Sequence, residues 1–226
     1  MPTNRETSEF LHRTCHDLRA PLRAIRAHSE LLQKHLRNGA PADNIEQSLG
    51  FILEGARKAD LLIDGLAAYS TALQIEPNSF QPTRLDVMLR STLAKLQSAI
   101  HAASAEVTYG ELPRVQGNSD RLAQLFELLI RNSLDHRGPE PPRVHISAAP
   151  QTDSGWTISV KDNGPGVEST DLESIFRPFE KLHGKGAGLG LATSRAIVQA
   201  HGGKIWADAT PDGFMIHFTL PSDRRL

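Results

Sequence analysis

The chain has 226 residues, 39% of them hydrophobic and 23% charged, and a formal net charge of −1 at pH 7. This length can bury the core of one or two domains, and the balanced charge gives no basic excess of the kind that binds nucleic acid or anionic membranes. A single cysteine excludes an internal disulfide, and no apolar run approaches the roughly 20 residues of a transmembrane helix. We therefore expect a cytoplasmic segment that makes no membrane contact. A sensor domain upstream of it, including a membrane-attached one, is compatible with this expectation.

Two long helices are predicted at the N-terminus. Apolar or small residues recur in alternating steps of four and three from Leu11 to Leu36, and the same spacing resumes from Ile45 to Leu66. The sequence Asn-Gly-Ala-Pro at 38–41 predicts a turn between them, so the two helices should lie antiparallel. Because one hairpin cannot shield both apolar faces, the pattern predicts a homodimer in which two hairpins form a four-helix bundle.

His16 lies beside this apolar seam and is followed directly by Asp17. A nucleophilic imidazole needs one exposed nitrogen and a carboxylate that holds the proton on the other nitrogen, and these two residues could meet that need. A histidine on a helix is more often only solvated. The residues by themselves do not choose between His16, His12 and His28.

The helical pattern breaks where Pro77 and Pro82 stand close together. We therefore predict a helical hairpin at 1–76, a linker at 77–84 and a second domain at 85–226. Predicted helices and strands interleave in the second domain: helices near 86–101, 119–137 and ending at His201, and strands at 105–109, 114–117, 143–149, 155–161, 204–209 and 214–220. This order predicts an α+β chain whose second domain is a sheet covered by helices on one face.

Two motifs in the second domain predict a nucleotide site. A predicted strand leads into Asp-Asn-Gly-Pro-Gly at 162–166, so a strand end holds the Asp162 carboxylate. Further on, glycines alternate along 186–190 and open an amphipathic helix. A helix N-terminus presents unpaired N–H groups to an anion, and glycine lets phosphate oxygens approach the backbone closely. A carboxylate that can accept a hydrogen bond from the edge of a base, together with a glycine-rich segment that can bind phosphates, indicates an ATP site.

Five motifs, in this order along the chain, resemble the H, N, G1, F and G2 boxes of sensor histidine kinases. They are CHDLRAPL at 15–22, RLAQLFELLIRN at 121–132, DNGPG at 162–166, IFRPF at 175–179 and GAGLGLA at 186–192. The resemblance spans nearly the whole chain. It implies a dimerisation and phosphoacceptor hairpin followed by a two-layer ATP-binding sandwich of the Bergerat type.

The resemblance also implies a function. The chain would be an ATP-dependent protein-histidine kinase that autophosphorylates His16 and passes the phosphoryl group to an aspartate in the receiver domain of a response regulator. Asp17 would be the base or orienting residue, Asn132 would coordinate Mg²⁺, and Asp162 would accept a hydrogen bond from the adenine amine. The other nucleotide-binding residues would be Gly164, Gly166, Lys185, Gly186, Gly188, Leu189 and Gly190.

Three positions depart from the family's pattern. Leu128 stands where ATP-hydrolysing relatives of the gyrase and chaperone type have a glutamate that activates water, and where histidine kinases usually have a second asparagine. Glu127 is one position away, about 100° around the helix, and is expected to be exposed. Asp135 and His136 stand where a lysine and an aromatic residue are common. These departures disfavour hydrolysis and leave one alternative, a dimeric nucleotide-binding or phosphotransfer scaffold with weak or no kinase activity.

Overall fold

The computed structural model describes residues 4–151, 155–180, 186–210 and 212–222, except for the side chains of residues 4–7 and of Pro77. The chain divides into two compact units, Met1–Ala67 and Ala68–Leu226. None of the helices in the described residues has both the length and the apolarity of a membrane span.

The first unit is the predicted helical hairpin. Helix α1 (Asn4–Arg37) and helix α2 (Ala42–Ala72) are joined by a turn in which Gly39 has a φ of 63°. The helices approach closely at Gly55, where an added Cβ would lie 2.7 Å from Ile25 Cγ1 and 3.1 Å from the Pro21 carbonyl oxygen. Many large apolar side chains of the hairpin stay exposed in the single chain: Leu11, Leu22, Leu31, Leu36, Leu49, Phe51, Leu53, Leu61 and Ile63.

Among its described residues, the second unit has three helices and seven strands, besides two short 3₁₀ turns at Pro77–Ser79 and Ser174–Phe176. The helices are α3 (Leu85–Ala102), α4 (Ser119–Asp135) and α5 (Gly190–Ala200). The strands are β1 (Gln81–Arg84), β2 (Glu106–Tyr109), β3 (Arg114–Gly117), β4 (Arg143–Gln151), β5 (Gly155–Asp162), β6 (Ile205–Thr210) and β7 (Gly213–Pro221). The predicted α+β fold class is confirmed.

Five strands form the main sheet, in the order β2-β4-β5-β7-β6. The β2–β4 pair is parallel and the other neighbours are antiparallel, so β5 is the central strand. Side chains alternate along β5: Ile158, Val160 and Asp162 are buried under the helices, while the residues between them face the other side. The sheet is therefore covered on one face, as predicted.

Helix α4 supplies the centre of the core. Its apolar stripe is fully buried, as the periodicity predicts, and Phe126 meets Phe218 of β7 edge to face with ring centroids 5.9 Å apart. The stripe consists of Leu122, Leu125, Phe126 and Leu129. This packing fixes α4 on the sheet, and with it the residues that follow the stripe.

The division between the units differs from the predicted boundary. It falls inside α2 rather than at 77–84, because Ala72 is fully buried in the core of the second unit. The predicted linker also contains β1, which pairs antiparallel with β3, and its Thr83 hydroxyl donates to the Gly117 carbonyl at 3.2 Å. The end of α2 and most of the predicted linker therefore belong to the second unit.

Candidate active site

Asp162 ends the central strand and is 8% exposed. Its two carboxylate oxygens each accept a hydrogen bond: Oδ2 from the Ser133 hydroxyl at 2.7 Å, and Oδ1 from the Gly164 backbone N–H at 2.9 Å. These donors fix the plane of the carboxylate. Because ionised carboxylate oxygens have about four acceptor sites, the group can still accept from a ligand donor.

Glycine is required at position 164 by close contacts on two sides. An added Cβ would lie 2.9 Å from Asp162 Oδ1 and 2.9 Å from the His136 carbonyl oxygen. The next glycine of the motif, Gly166, has a φ of 66°. Asn163 braces the loop from outside: its Oδ1 accepts from the Arg143 N–H at 2.7 Å, and its Nδ2 donates to the Pro141 carbonyl at 3.1 Å. The loop geometry at Asp162 is thus set by backbone contacts.

The C-terminal turn of α4 carries Asn132 directly before Ser133. The Asn132 side chain is partly exposed and makes no hydrogen bond to the other described residues, so its amide is available to a ligand. Asp135 and His136 follow and are both exposed. Leu128, one turn earlier, lies at the contact between α4 and α5, since an added Cβ on Gly190 would be 3.9 Å from Leu128 Cδ2.

Glu127 is less exposed than predicted. Its side chain is 20% exposed and lies between Lys95 Nζ at 2.6 Å and Arg131 Nε at 3.1 Å, because α3 packs beside α4. Partial burial would by itself raise the pKa of Glu127, but the hydrogen bonds from Lys95 and Arg131 outweigh it and the pKa is lowered. A carboxylate held this way is a poor base for activating water.

The glycine-rich segment leads into α5, as predicted. Gly186 has open space around its Cβ position, Gly188 has a φ of 68°, and Gly190 is the first residue of the helix. Leu189 is 1% exposed, so its side chain anchors the segment and only its backbone can face a ligand. Thr193 bonds back to the Leu189 carbonyl through its N–H at 2.8 Å. The start of α5 is therefore fixed, with glycines beside its unpaired N–H groups.

The apolar motif at 175–179 anchors the loop that precedes the glycine-rich segment. Ile175, Phe176 and Phe179 are buried, and the Phe179 N–H donates to the Gly188 carbonyl at 2.7 Å. Phe179 has a φ of 64°, an uncommon conformation for a non-glycine residue. Lys185, a predicted phosphate ligand, lies outside the described residues.

His16 and Asp17 lie next to each other in α1 and are in contact. His16 Nδ1 is 3.2 Å from Asp17 Oδ1, and the two side chains are 72% and 29% exposed. In the tautomer whose Nδ1 carries the proton and donates to the carboxylate, the lone pair lies on Nε2. His16 thus has a hydrogen-bond acceptor for one ring nitrogen, and its side chain is largely exposed to solvent.

The sequence did not reveal several contacts of this site. No motif singles out Ser133, yet its hydroxyl donates to Asp162; a small polar residue directly after the predicted ligand Asn132 is the available signal. The bond from Phe179 to Gly188 joins two predicted motifs through the backbone and leaves no trace in residue types. No group of three or more His, Cys, Asp or Glu side chains that could hold a metal ion occurs in the described ranges.

Two family models match the chain. The model described as the His Kinase A (phospho-acceptor) domain matches residues 6–74, and the model described as the histidine kinase-, DNA gyrase B-, and HSP90-like ATPase matches residues 117–224. The first match contains His16. The second contains Asn132, Asp162 and the glycine-rich segment.

Several proteins are similar to this chain over most of its length. Cyanobacterial phytochrome A of Nostoc sp. is 33% identical over 97% of this chain, and the adaptive-response sensory kinase SasA of Synechocystis sp. is 30% identical over 94% of it. The chain spans only 29% of the first relative's length and 58% of the second's.

Solved structures agree with these matches. The catalytic domain of histidine kinase ThkA is 26% identical with a TM-score of 0.57, over 63% of this chain and 95% of that one. The structure of ThkA in complex with the response regulator protein TrrA has a TM-score of 0.73 over 95% of this chain and 61% of that one; at 22% identity it is a likeness of fold alone. Since the two family models together cover most of the chain and a histidine kinase catalytic domain shares the fold of its second unit, the chain belongs to the sensor histidine kinase family.

Proposed function

We propose that this chain is the catalytic core of an ATP-dependent protein-histidine kinase in a two-component system. It phosphorylates its own His16 and passes the phosphoryl group to an aspartate in the receiver domain of a response regulator. The observation that carries this proposal is the contact between His16 and Asp17, which leaves an exposed Nε2 with a free lone pair. The presence of a nucleotide-type site in the same chain supplies the other half of the reaction.

The transfer is an in-line displacement. The lone pair of His16 Nε2 forms a bond to the γ-phosphorus of ATP, the bond from that phosphorus to the β–γ bridging oxygen breaks, and ADP leaves with the electron pair. Asp17 holds the proton on Nδ1 while positive charge develops on the ring. The chain's part in this reaction is chiefly positioning and charge neutralisation.

The nucleotide would lie between the end of β5 and the start of α5. Asp162 would accept from the adenine amine, with its carboxylate plane set by Ser133 and Gly164. The N–H groups at Gly188, Leu189 and Gly190 would face the phosphates, and we assign the same role to Gly186, Gly166 and Lys185 by the family motif. The cradle fits phosphate because side chains are absent where oxygens would approach.

Mg²⁺ would be held by the Asn132 amide oxygen together with the phosphates. A single protein oxygen fits this cation, because Mg²⁺ commonly keeps several waters and takes one or two protein ligands beside substrate phosphates. When bound, the ion neutralises phosphate charge. Asn132 contributes by presenting an amide that no other described residue occupies.

The geometry favours transfer to histidine over hydrolysis. Leu128 offers no base, and the neighbouring Glu127 is held by Lys95 and Arg131 with a lowered pKa. Neither residue thus offers a free carboxylate about one turn before Asn132, where the hydrolysing relatives have their base. This observation supports a kinase and argues against an ATPase of the hydrolysing type.

The hairpin would work as a homodimer in the cytoplasm. Nine large apolar side chains exposed on one hairpin favour burial against a second copy in a four-helix bundle. The response regulator would then dock near His16. The functional domains would follow the division of the fold: a phosphoacceptor hairpin with His16 that ends within α2, and a nucleotide-binding part that begins at the end of α2 and includes β1.

Incubation with labelled ATP and Mg²⁺ tests the proposal. We expect phosphate on the protein that is labile in acid and stable in base. His16→Gln should abolish it with ATP binding intact, whereas His12→Gln, one turn earlier on the same helix, should retain it. Asp17→Asn should slow labelling by roughly 10²-fold, the usual contribution of general acid–base catalysis.

The same experiment decides against the alternative scaffold. A wild-type protein that binds ATP but takes up no label would make the chain a nucleotide-binding scaffold, the reading that Leu128, Asp135 and His136 suggest. Label that persists in His16→Gln would move the phosphoacceptor to another histidine.

A further inference from the structure

His201, directly after α5, is the most deeply buried histidine in the described part of the chain, at 2% exposure. Both ring nitrogens are hydrogen-bonded: Nδ1–H donates to the Ile197 carbonyl at 2.7 Å, and Nε2 accepts from the Asn118 N–H at 3.0 Å. These bonds define a neutral ring with one tautomer. Burial lowers the pKa of His201, which keeps the ring neutral at physiological pH.

Asn118 is the N-cap of α4. Its Oδ1 accepts from the Arg121 N–H at 3.1 Å, so its backbone position fixes where α4 begins. The bond from Asn118 N–H to His201 therefore joins the N-cap of α4 to the C-cap of α5. The molecule has room for this ring because residue 117 is glycine: an added Cβ there would lie 2.9 Å from His201 Cδ2.

The segment before β1 contacts the same point. Phe80 stacks on the His201 ring with centroids 4.4 Å apart and planes 3° apart, and Asn118 Nδ2 donates to the Ser79 hydroxyl at 3.1 Å. One imidazole thus connects α4, α5 and the segment that leads out of α2. None of these contacts involves Asp162, whose hydrogen bonds are with Ser133 and Gly164, so they are separate from the adenine contact.

The opposite ends of α4 and α5 carry that site. Asn132 is fourteen residues along α4 from Asn118, roughly 21 Å, and Gly190 is eleven residues before His201, roughly 16 Å. The helices touch again at Leu128 and Gly190. Helix α5 also packs on α4 along its length, on β6 and β7 and on the Ser174–Phe176 turn, so loss of the contacts at His201 shifts the helix without releasing it. Such a shift changes the position of the glycine cradle relative to Asp162 on β5.

We infer that His201 is a positioning residue for the nucleotide site, which sets the phosphate cradle of α5 relative to α4 and to the adenine contact on β5. It does not touch ATP. The inference rests on the proposed ATP site. It adds to that site the residue that holds the phosphate cradle of α5 and the adenine contact on β5 in their relative positions. Phe80 and Ser79 tie the segment after α2 to the same point, so a displacement of that segment reaches the phosphates through His201.

The test is a pair of affinities, for ATP and for adenosine, measured on the full chain by calorimetry or ligand-observed NMR. His201→Phe keeps the ring and the stacking on Phe80 but removes both hydrogen bonds. We expect its Kd for ATP to rise about 10- to 100-fold, the effect of losing one backbone hydrogen bond to the charged phosphates. Its Kd for adenosine, which depends on Asp162 alone, should change little.

Two further variants and a control complete the experiment. His201→Gln places an amide oxygen where Nε2 lies and should restore ATP binding to within about 3-fold, since the bond to Asn118 is kept. Phe80→Leu keeps both hydrogen bonds and should weaken ATP binding roughly 2- to 10-fold. His217→Phe is the control, because His217 on β7 is also stacked, on Trp206 at 5.1 Å, and hydrogen-bonded to Ser159, but lies on the other face of the sheet.

The outcomes are distinct. Equal losses of ATP and adenosine affinity in His201→Phe would reduce His201 to a general stabiliser of the fold and overturn the inference. An unchanged Kd for ATP in His201→Phe would also overturn the inference. If His201→Phe does not fold, Phe80→Leu decides, and unchanged ATP binding in that variant overturns the inference as well. Wild type that binds neither ligand would instead contradict the proposed function.

Discussion

Asp162 is held from two sides before any ligand arrives. Because Ser133 and Gly164 each donate to one oxygen, the carboxylate does not need to reorient on binding. A base that presents an amine to this group gains a hydrogen bond to a charged acceptor, and a base that presents a carbonyl meets repulsion. The residue should therefore set selectivity for adenine over guanine.

Asp162→Asn should cost about 1.5–3 kcal/mol of ATP binding free energy, the scale of a hydrogen bond to a charged group. Its preference for ATP over GTP should shrink together with that loss. Calorimetric titration of both nucleotides checks this. Asp208→Asn, on the uncovered face of the same sheet, is the control. Wild-type affinity in Asp162→Asn would mean that the base lies elsewhere.

Two histidines make stability depend on pH. Burial lowers the pKa of His201, and burial also lowers the pKa of His217 against the opposing effect of Asp208, both from 6.5. The unfolded chain keeps the ordinary pKa and therefore takes up protons first as the pH falls. The stabilisation is complete above pH 6.5 and is lost as the pH falls from there through the folded-state pKa.

Urea unfolding at pH 7.5, 6.5 and 5.5 should thus give a free energy of unfolding that decreases toward pH 5.5. Each histidine adds at most about 1.4 kcal/mol per pH unit. His217→Phe should flatten this dependence in part. An identical pH slope in that variant would assign the effect to other groups.

At the scale of elements, the hairpin depends on one close approach. Gly55 lets α2 contact α1 at Pro21 and Ile25, five and nine residues after His16. Alanine is normally the better helix former by about 1 kcal/mol, but here its Cβ would lie 2.7 Å from Ile25 Cγ1. The two effects oppose each other, and the collision should decide the sign.

Gly55→Ala should destabilise the hairpin by roughly 1–3 kcal/mol, the range of overpacking, and shift α1 near His16. Gly50→Ala is a matched control on the same helix, since an added Cβ there meets nothing within 4 Å. Gly50→Ala should stabilise the hairpin instead. Thermal unfolding followed by helical circular dichroism separates the two, and a stabilised Gly55→Ala would disprove the close approach.

Elements with a clear period could be predicted from the sequence, and short ones could not. The apolar stripe of α4 and the alternating pattern of β5 predict that the first is a helix and the second a strand, and predict their ends closely, because each element buries one face. Strand β1 has four residues and contains Pro82, so it looks like a linker. In the site, Asp162 and the glycines follow from motifs. The contacts of Ser133 and His201 arise from pairings 29 and 83 residues apart, which no local pattern encodes.

At the scale of the molecule, the second unit begins earlier than its nucleotide-binding motifs suggest. Ala72 is fully buried in its core, and Tyr69 and Ile75 pack against that core. A fragment of residues 85–226 would lack these residues and β1, and would leave apolar surface uncovered. A fragment of residues 66–226 would keep both.

We expect the 66–226 fragment to unfold cooperatively and to bind ATP like the full chain, and the 85–226 fragment to be less stable by several kcal/mol, about 1.5–3 for each large side chain exposed. Urea unfolding and dye binding to apolar surface check this. In the full chain, Ala72→Glu should reproduce the defect and Leu73→Glu should not, because the Leu73 side chain is 58% exposed. Equal stability of the two fragments would place the boundary after β1.

Strand β7 pairs along its whole length with β5, up to the Gly155–Pro221 pair, and so links residues about 60 positions apart. The hairpin, by contrast, is held largely by contacts within its two helices and has a much lower contact order. During synthesis at about 5–20 residues per second, the 149 residues from 73 to 221 take roughly 7–30 s. Throughout that interval the sequence of the hairpin is complete while the central sheet still lacks part or all of β7. We therefore expect the proposed pairing of two hairpins, on neighbouring ribosomes of one messenger, to precede completion of the proposed nucleotide site.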